Sequence, residues 1–154
     1  MDDKNLYRPP SAEVAVEGGI GQPLYSPGQV AAAAFLGSPI AGCWLLASNF
    51  GELGLPGPRR DTLIAGVVAT AIVFVLALSL PEDFPNLVIP MAYTFGLLYI
   101  ARQSQGEAFR KHMDAGGQRH SHWRVILIGV VSLIVFFVVS IAIVLVLPDS
   151  LLPF

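Results

Sequence analysis

The sequence predicts an all-α integral membrane protein, a four-helix transmembrane bundle whose first segment is kinked or re-entrant. Three observations lead there. The stretch Val125–Leu147 holds 23 residues without a charge, and 19 of them are Val, Ile, Leu or Phe. As a helix it runs about 34 Å, against a hydrocarbon core of about 30 Å. Each such side chain favours insertion by roughly 0.3–0.6 kcal/mol near the bilayer centre. The 154-residue chain is 54% hydrophobic and 13% charged, with about half the charge of a soluble domain. Finally, no Asp, Glu, Lys, Arg or His interrupts the apolar cores of the segments near 28–49, 62–80, 87–102 and 124–147.

Residues 1–25 form an N-terminal tail that reads as disordered, rich in Pro and Gly and poor in large apolar residues. Arg8-Pro9-Pro10 resembles a short ligand motif, although a solvated linker explains it as well. The start MDDKNLYRPP is acidic and polar, unlike a cleavable signal peptide. The first membrane segment is therefore expected to act as the targeting signal.

The membrane domain occupies 26–154. Ser26 is the expected N-cap of the first helix, with Pro27 at its first position and Gln29 at capping-box spacing. The apolar run from Val30 to Ala47 is interrupted by Gly37-Ser38-Pro39. Pro39 removes a backbone donor and disfavours helical dihedrals at Ser38. The segment then either crosses as a kinked helix or folds back as a hairpin. Its length favours crossing.

The second segment, Leu63–Leu80, ends at Pro81-Glu82-Asp83. The third, Leu87–Ala101, is about 22 Å long by itself and borrows Arg102 and Gln103, the arginine snorkelling to the interface. A cytoplasmic loop, 103–123, follows. It carries a short helix from about Gln105 to Ala115, stopped by Gly116-Gly117. Ala108, Phe109, His112 and Met113 share one face of it. Trp123 and Arg124 then stand as interfacial anchors before the fourth segment.

Charge orients the bundle. The loops Ser48–Asp61 and Arg102–Arg124 hold seven of the nine Lys and Arg residues, while the turn Pro81–Asn86 holds two acids and no base. The positive-inside rule puts the 103–123 loop in the cytoplasm. A hairpin in place of the first crossing brings Lys4 and Arg8 to that side as well. The same basic residues attract anionic lipid, at up to about 1 kcal/mol each.

Small residues recur at spacing four: Ala34, Ser38 and Gly42; Gly66 and Thr70; Ala92 and Gly96. The fourth segment has Gly129, Ser132 and Ser140 near one face. Such stripes let helix backbones approach closely. They serve packing within the bundle or, alternatively, a homo-oligomer or another membrane protein.

Reactive chemistry is sparse. Cys43 is the single cysteine, so one chain builds neither a disulfide nor a cysteine metal site. The net charge of −2 argues against a nucleic-acid partner. There is no serine elbow, HExxH or phosphate loop. Ion-coupled transport and voltage sensing generally require intramembrane Asp, Glu, Lys, Arg or His, which the cores lack. His112, His120 and His122, with Asp114, are weak metal candidates whose spacing matches no strong zinc signature. No catalytic residue and no cofactor is expected.

Leu24-Tyr25-Ser26-Pro27, Phe35-Leu36-Gly37-Ser38-Pro39-Ile40-Ala41-Gly42, Asn49 and Leu53-Gly54 together form a pattern. It continues at Pro85-Asn86, Ile89-Pro90, Gln105-Gly106, His112, Gly116-Gly117, Ser121 and Trp123-Arg124. The pattern resembles a family of small multi-span bacterial inner-membrane proteins without an established function. The resemblance implies that fold and that membrane, and implies no activity. Ser38 stands where that family often has glycine.

These positions gather in the broken first segment and the cytoplasmic loop. Gly37, Ser38, Pro39, Gly116, Gly117, Trp123 and Arg124 are the expected interaction site. The two regions are expected to face each other, with free backbone donors after Ser38-Pro39 offering an anion or headgroup site. The leading functional expectation is a non-enzymatic membrane protein that binds a protein partner or lipid, as a subunit, a regulator or an immunity-type factor. The alternative is a small oligomeric channel or transporter.

Overall fold

The structure, a computed structural model, describes residues 22–81 and 83–146. The expectations for the chain before Gln22, including Lys4 and Arg8, and those for Glu82 and Leu147, lie outside them. Five helices follow in order: α1 (Pro27–Gly37), α2 (Pro39–Glu52), α3 (Pro56–Ser79), α4 (Val88–Asp114) and α5 (His122–Val146).

The cap of α1 forms as its residues dictate. Ser26 Oγ accepts from Gln29 N, Gln29 Oε1 accepts from Ser26 N, and Pro27 opens the helix. The helix stops at Ser38, whose φ of 96° and ψ of 168° lie in a region that only glycine occupies without strain. Pro39 then starts α2.

After the break the chain turns back. Asn49, near the end of α2, bonds to Tyr25, just before α1. Gly42 lies against Ala34 and Val30. These pairings make α1 and α2 an antiparallel hairpin, which corrects the expectation of a first crossing. With 11 and 14 residues the two helices are about 16 and 21 Å long. Each is shorter than a core of about 30 Å.

Four crossings were expected, and among the described residues two helices, α3 and α5, are long and apolar enough to cross a membrane. The third expected segment is the apolar start of α4, a continuous helix of 27 residues, about 40 Å long. The separate loop helix expected from Gln105 is its second half. No proline lies between Arg102 and Asp114, and Gly106 alone does not break a helix. The stop comes where expected. Gly116 adopts φ 84°, Gly116 N donates to Met113 O, and Gly117 N donates to His112 O. That is the Schellman arrangement.

The core sits in the hairpin. Val30, Ala33, Ala34, Ala41 and Leu45 are wholly buried. The long helices stand around it, α3 against α2, and α4 and α5 against α1. They meet one another sparsely, as where Phe74 of α3 sets edge-on to Phe136 of α5 at 6.4 Å. Small residues permit the close approaches. A methyl added at Gly66 would come within 2.6 Å of Cys43 Cβ, and one at Gly129 within 2.9 Å of Leu36 Cβ. Gly96 differs, with open space where a side chain would go. Gly42, Gly66 and Gly129 therefore pack inside the chain, and the exposed Ala92–Gly96 stripe borders an open groove between α3 and α4.

Burial is inverted relative to a water-soluble fold. In the most apolar windows of α3 and α5 only 6% of residues are buried. The core instead contains Gln29, Asn49 and Gln105, all at most 3% exposed.

Candidate functional site

Chain segments far apart in sequence converge where α1 begins, α2 and α4 end, and α5 begins; we term this the loop end. Asn49 is the joint. Its Oδ1 accepts from Tyr25 N at 2.8 Å, and its Nδ2 donates to Tyr25 O at 2.7 Å and to Gln105 Oε1 at 2.8 Å. Gln105 Nε2 donates to Leu46 O at 2.9 Å, which completes that amide's fit. An amide supplies donors and acceptor together, so Asn49 pairs both backbone groups of Tyr25 before α1, and Gln105 ties Asn49 to the Leu46 carbonyl of α2.

A second set of bonds ties the loop after α4 to the entry of α1. Leu24 N donates to Gln118 O, and His120 N donates to Leu24 O, a two-bond bridge. Gln29 Nε2 donates to His120 O at 2.7 Å. The His120 ring stacks on Tyr25 with centroids 4.0 Å apart. Burial pushes the His120 imidazole below its usual pKa, Arg124 adds to this, and Glu52 opposes it. Burial pushes the Tyr25 phenol up, against the pull of Arg124.

The expected interaction residues divide between the two ends of the molecule. Gly116, Gly117 and Arg124 belong to the loop end, as does Trp123, which is 75% exposed. Gly37, Ser38 and Pro39 lie at the hairpin tip. There a cavity of about 440 Å³ is lined by Ser38, Pro81, Phe84, Tyr93 and Phe136. The expectation that the break faces the loop is corrected. The two ends of the hairpin meet the loop, because folding back carries the break to the opposite end.

The free donors expected after Pro39 are also taken. Ile40 N donates to Thr70 Oγ1 at 3.1 Å, and Ala41 N to Ser38 O. Ser38 Oγ itself is buried without a partner.

The metal candidates are not assembled. His112 Nε2 lies 3.1 Å from Gln118 O and must carry the proton toward that carbonyl. His120 stacks on Tyr25, and His122 opens α5. Among the described residues no three His, Cys, Asp or Glu side chains come together as a metal requires.

A small polar pocket of about 190 Å³ opens at the loop end, lined by Tyr25, Ser48, Glu52, His120 and Arg124. Sequence reasoning did not single out Glu52, which sits in no motif. Tyr25 and Asn49 entered only through the family pattern, and Gln105 through that pattern and as the expected start of the loop helix. Their visible signal is an uncharged amide at the end of an apolar stretch. No protein-family model, curated protein or solved structure matches this chain.

Proposed function

We propose that this chain is a small, non-enzymatic, multi-pass membrane protein of the bacterial inner membrane that acts by binding lipid or another membrane protein. The observation that carries this reading is the inverted burial. Helices α3 and α5 are long and apolar with almost none of their residues buried, while the sealed core is a short hairpin with amides inside. Water penalises such an exterior, and a bilayer favours it.

In this reading α3, α4 and α5 cross, and the α1–α2 hairpin enters and leaves on the loop side. All nine Lys and Arg residues then share that side, and the positive-inside rule makes it cytoplasmic. The absence of Asp, Glu, Lys, Arg and His from the apolar cores supports a binding role over ion-coupled transport. Extraction tests the reading. The protein is expected to resist carbonate and high salt and to come off membranes only with detergent. Release by carbonate would refute it.

The exposed Ala92–Gly96 stripe favours a second reading, a homo-oligomer that forms a channel or transporter. The protein mass in a detergent complex separates the two. A ring of several copies supports the second, and one or two copies support the first.

A further inference from the structure

We propose that the loop end holds one zwitterionic phospholipid. Its phosphate lies at Arg124, its ammonium lies at Glu52, and one acyl chain fills the groove between α3 and α5. This rests on the membrane reading above.

The site has a polar part and an apolar part joined by shared walls. The polar pocket contains one cation and one anion, Arg124 and Glu52, both close enough to His120 to act on its charge. They form no ion pair with each other; the salt bridge among the described residues is Lys111–Glu107. Trp44 and Ile128 line this pocket and also line an apolar groove of about 540 Å³. That volume is in the range of small-molecule sites, about 300–1,000 Å³. The groove is floored by Ile40 and Trp44 of α2 and walled by Thr70 of α3 and by Val131 and Val139 of α5. From Ile128 to Val139 it descends about 16 Å along α5. That is about the depth of one leaflet of a 30 Å core.

The charges select the headgroup. Glu52 is the last residue of α2, where a negative charge opposes the helix dipole. Helix stability therefore does not account for it, and Arg59, whose guanidinium packs beside Gly51, forms no salt bridge with it, which leaves the carboxylate open to a cationic ligand group. An anionic headgroup such as phosphoglycerol satisfies Arg124 and leaves Glu52 repelled. Phosphoethanolamine satisfies both, and its ammonium donates hydrogen bonds to the carboxylate.

The test uses the full chain in mild detergent, titrated with phosphatidylethanolamine or phosphatidylglycerol and read by native mass spectrometry. One phosphatidylethanolamine per chain is expected, retained about tenfold better than phosphatidylglycerol. Arg124→Gln should weaken both lipids, phosphatidylethanolamine by about tenfold. Glu52→Gln should erase the preference between them. Val131→Phe, which fills the groove from an exposed position, should displace either lipid without altering the charges. Thermal melting in detergent checks that each variant is folded, and both charged residues are on the surface.

Equal retention of the two lipids, or retention indifferent to Arg124→Gln and Glu52→Gln, overturns the site. So does disulfide crosslinking of two Val131→Cys copies, which would show the groove filled by a second chain. A chain that is membrane-embedded yet blind to headgroups sinks this inference alone. A chain folded in buffer without amphiphile sinks the membrane reading as well.

Discussion

Asn49 closes three hydrogen bonds between segments that are 24 and 56 residues apart in sequence. Asn49→Ala leaves Tyr25 N–H, Tyr25 C=O and Gln105 Oε1 without the partners they have here. The expected loss is at least about 3 kcal/mol, at about 1–3 kcal/mol for each orphaned group. Thermal unfolding in detergent measures it, and an unchanged melting temperature would remove Asn49 from its central role. Ser38→Gly should act the other way. It relieves a backbone strain of order 1–3 kcal/mol and removes a buried oxygen that has no partner. The more flexible unfolded chain returns part of that gain, so a rise of about 1 kcal/mol is expected. His120 makes stability depend on pH. Its folded pKa lies below the usual 6.5, so the unfolded chain binds more protons between the two values. The contribution is complete above about pH 6.5 and is lost as pH falls toward the folded value. The melting temperature should therefore drop between pH 7.5 and 5, and His120→Phe, which keeps the stack on Tyr25, should flatten that drop.

At the level of helices, glycine positions separate contacts within the chain from contacts between chains. Gly129→Leu drives α5 away from Leu36 of α1 and should cost several kcal/mol, seen as a lower melting temperature in detergent. Gly96→Leu meets open space and should leave the single chain's stability within about 0.5 kcal/mol. A change of oligomeric mass in Gly96→Leu would assign that stripe to contacts between copies. Local signals in the sequence specified where these helices start and stop. Ser26 with Gln29 and Gly116 with Gly117 form the caps their spacing predicts, and the chain breaks at Ser38. The direction after the break was not legible. Pro39 ends a helix whether the chain continues or returns, and the return is held by Tyr25, Asn49 and Gln105, which are remote in sequence. The unbroken run of α4 was missed for a related reason. Its apolar pattern ends near Ala101, but helices end at breakers and caps, and none occurs before Ala115. The hydrogen bonds of Asn49 and Gln105, and the placement of Glu52 and Arg124 around one pocket, need the folded hairpin, so spacing alone does not reveal them.

The molecule as a whole is a hairpin with polar joints sheathed by three long helices, of which α3 and α5 expose mostly hydrocarbon and α4 carries an apolar first half and a charged second half. This arrangement makes the hairpin the scaffold and leaves α3 flanked by grooves on both sides. It also fixes sidedness. Gln22 and Gln118 lie at one end, and Asp83, in the turn between α3 and α4, lies at the other. Single cysteines at these positions, in a Cys43→Ala background, report that arrangement through a maleimide reagent that cannot cross the membrane. Gln22→Cys and Gln118→Cys are expected to label together only after the cell is opened, and Asp83→Cys to label in intact cells. Labelling of Gln22→Cys alongside Asp83→Cys, with Gln118→Cys protected, would mean that the first segment crosses the bilayer and would contradict the hairpin.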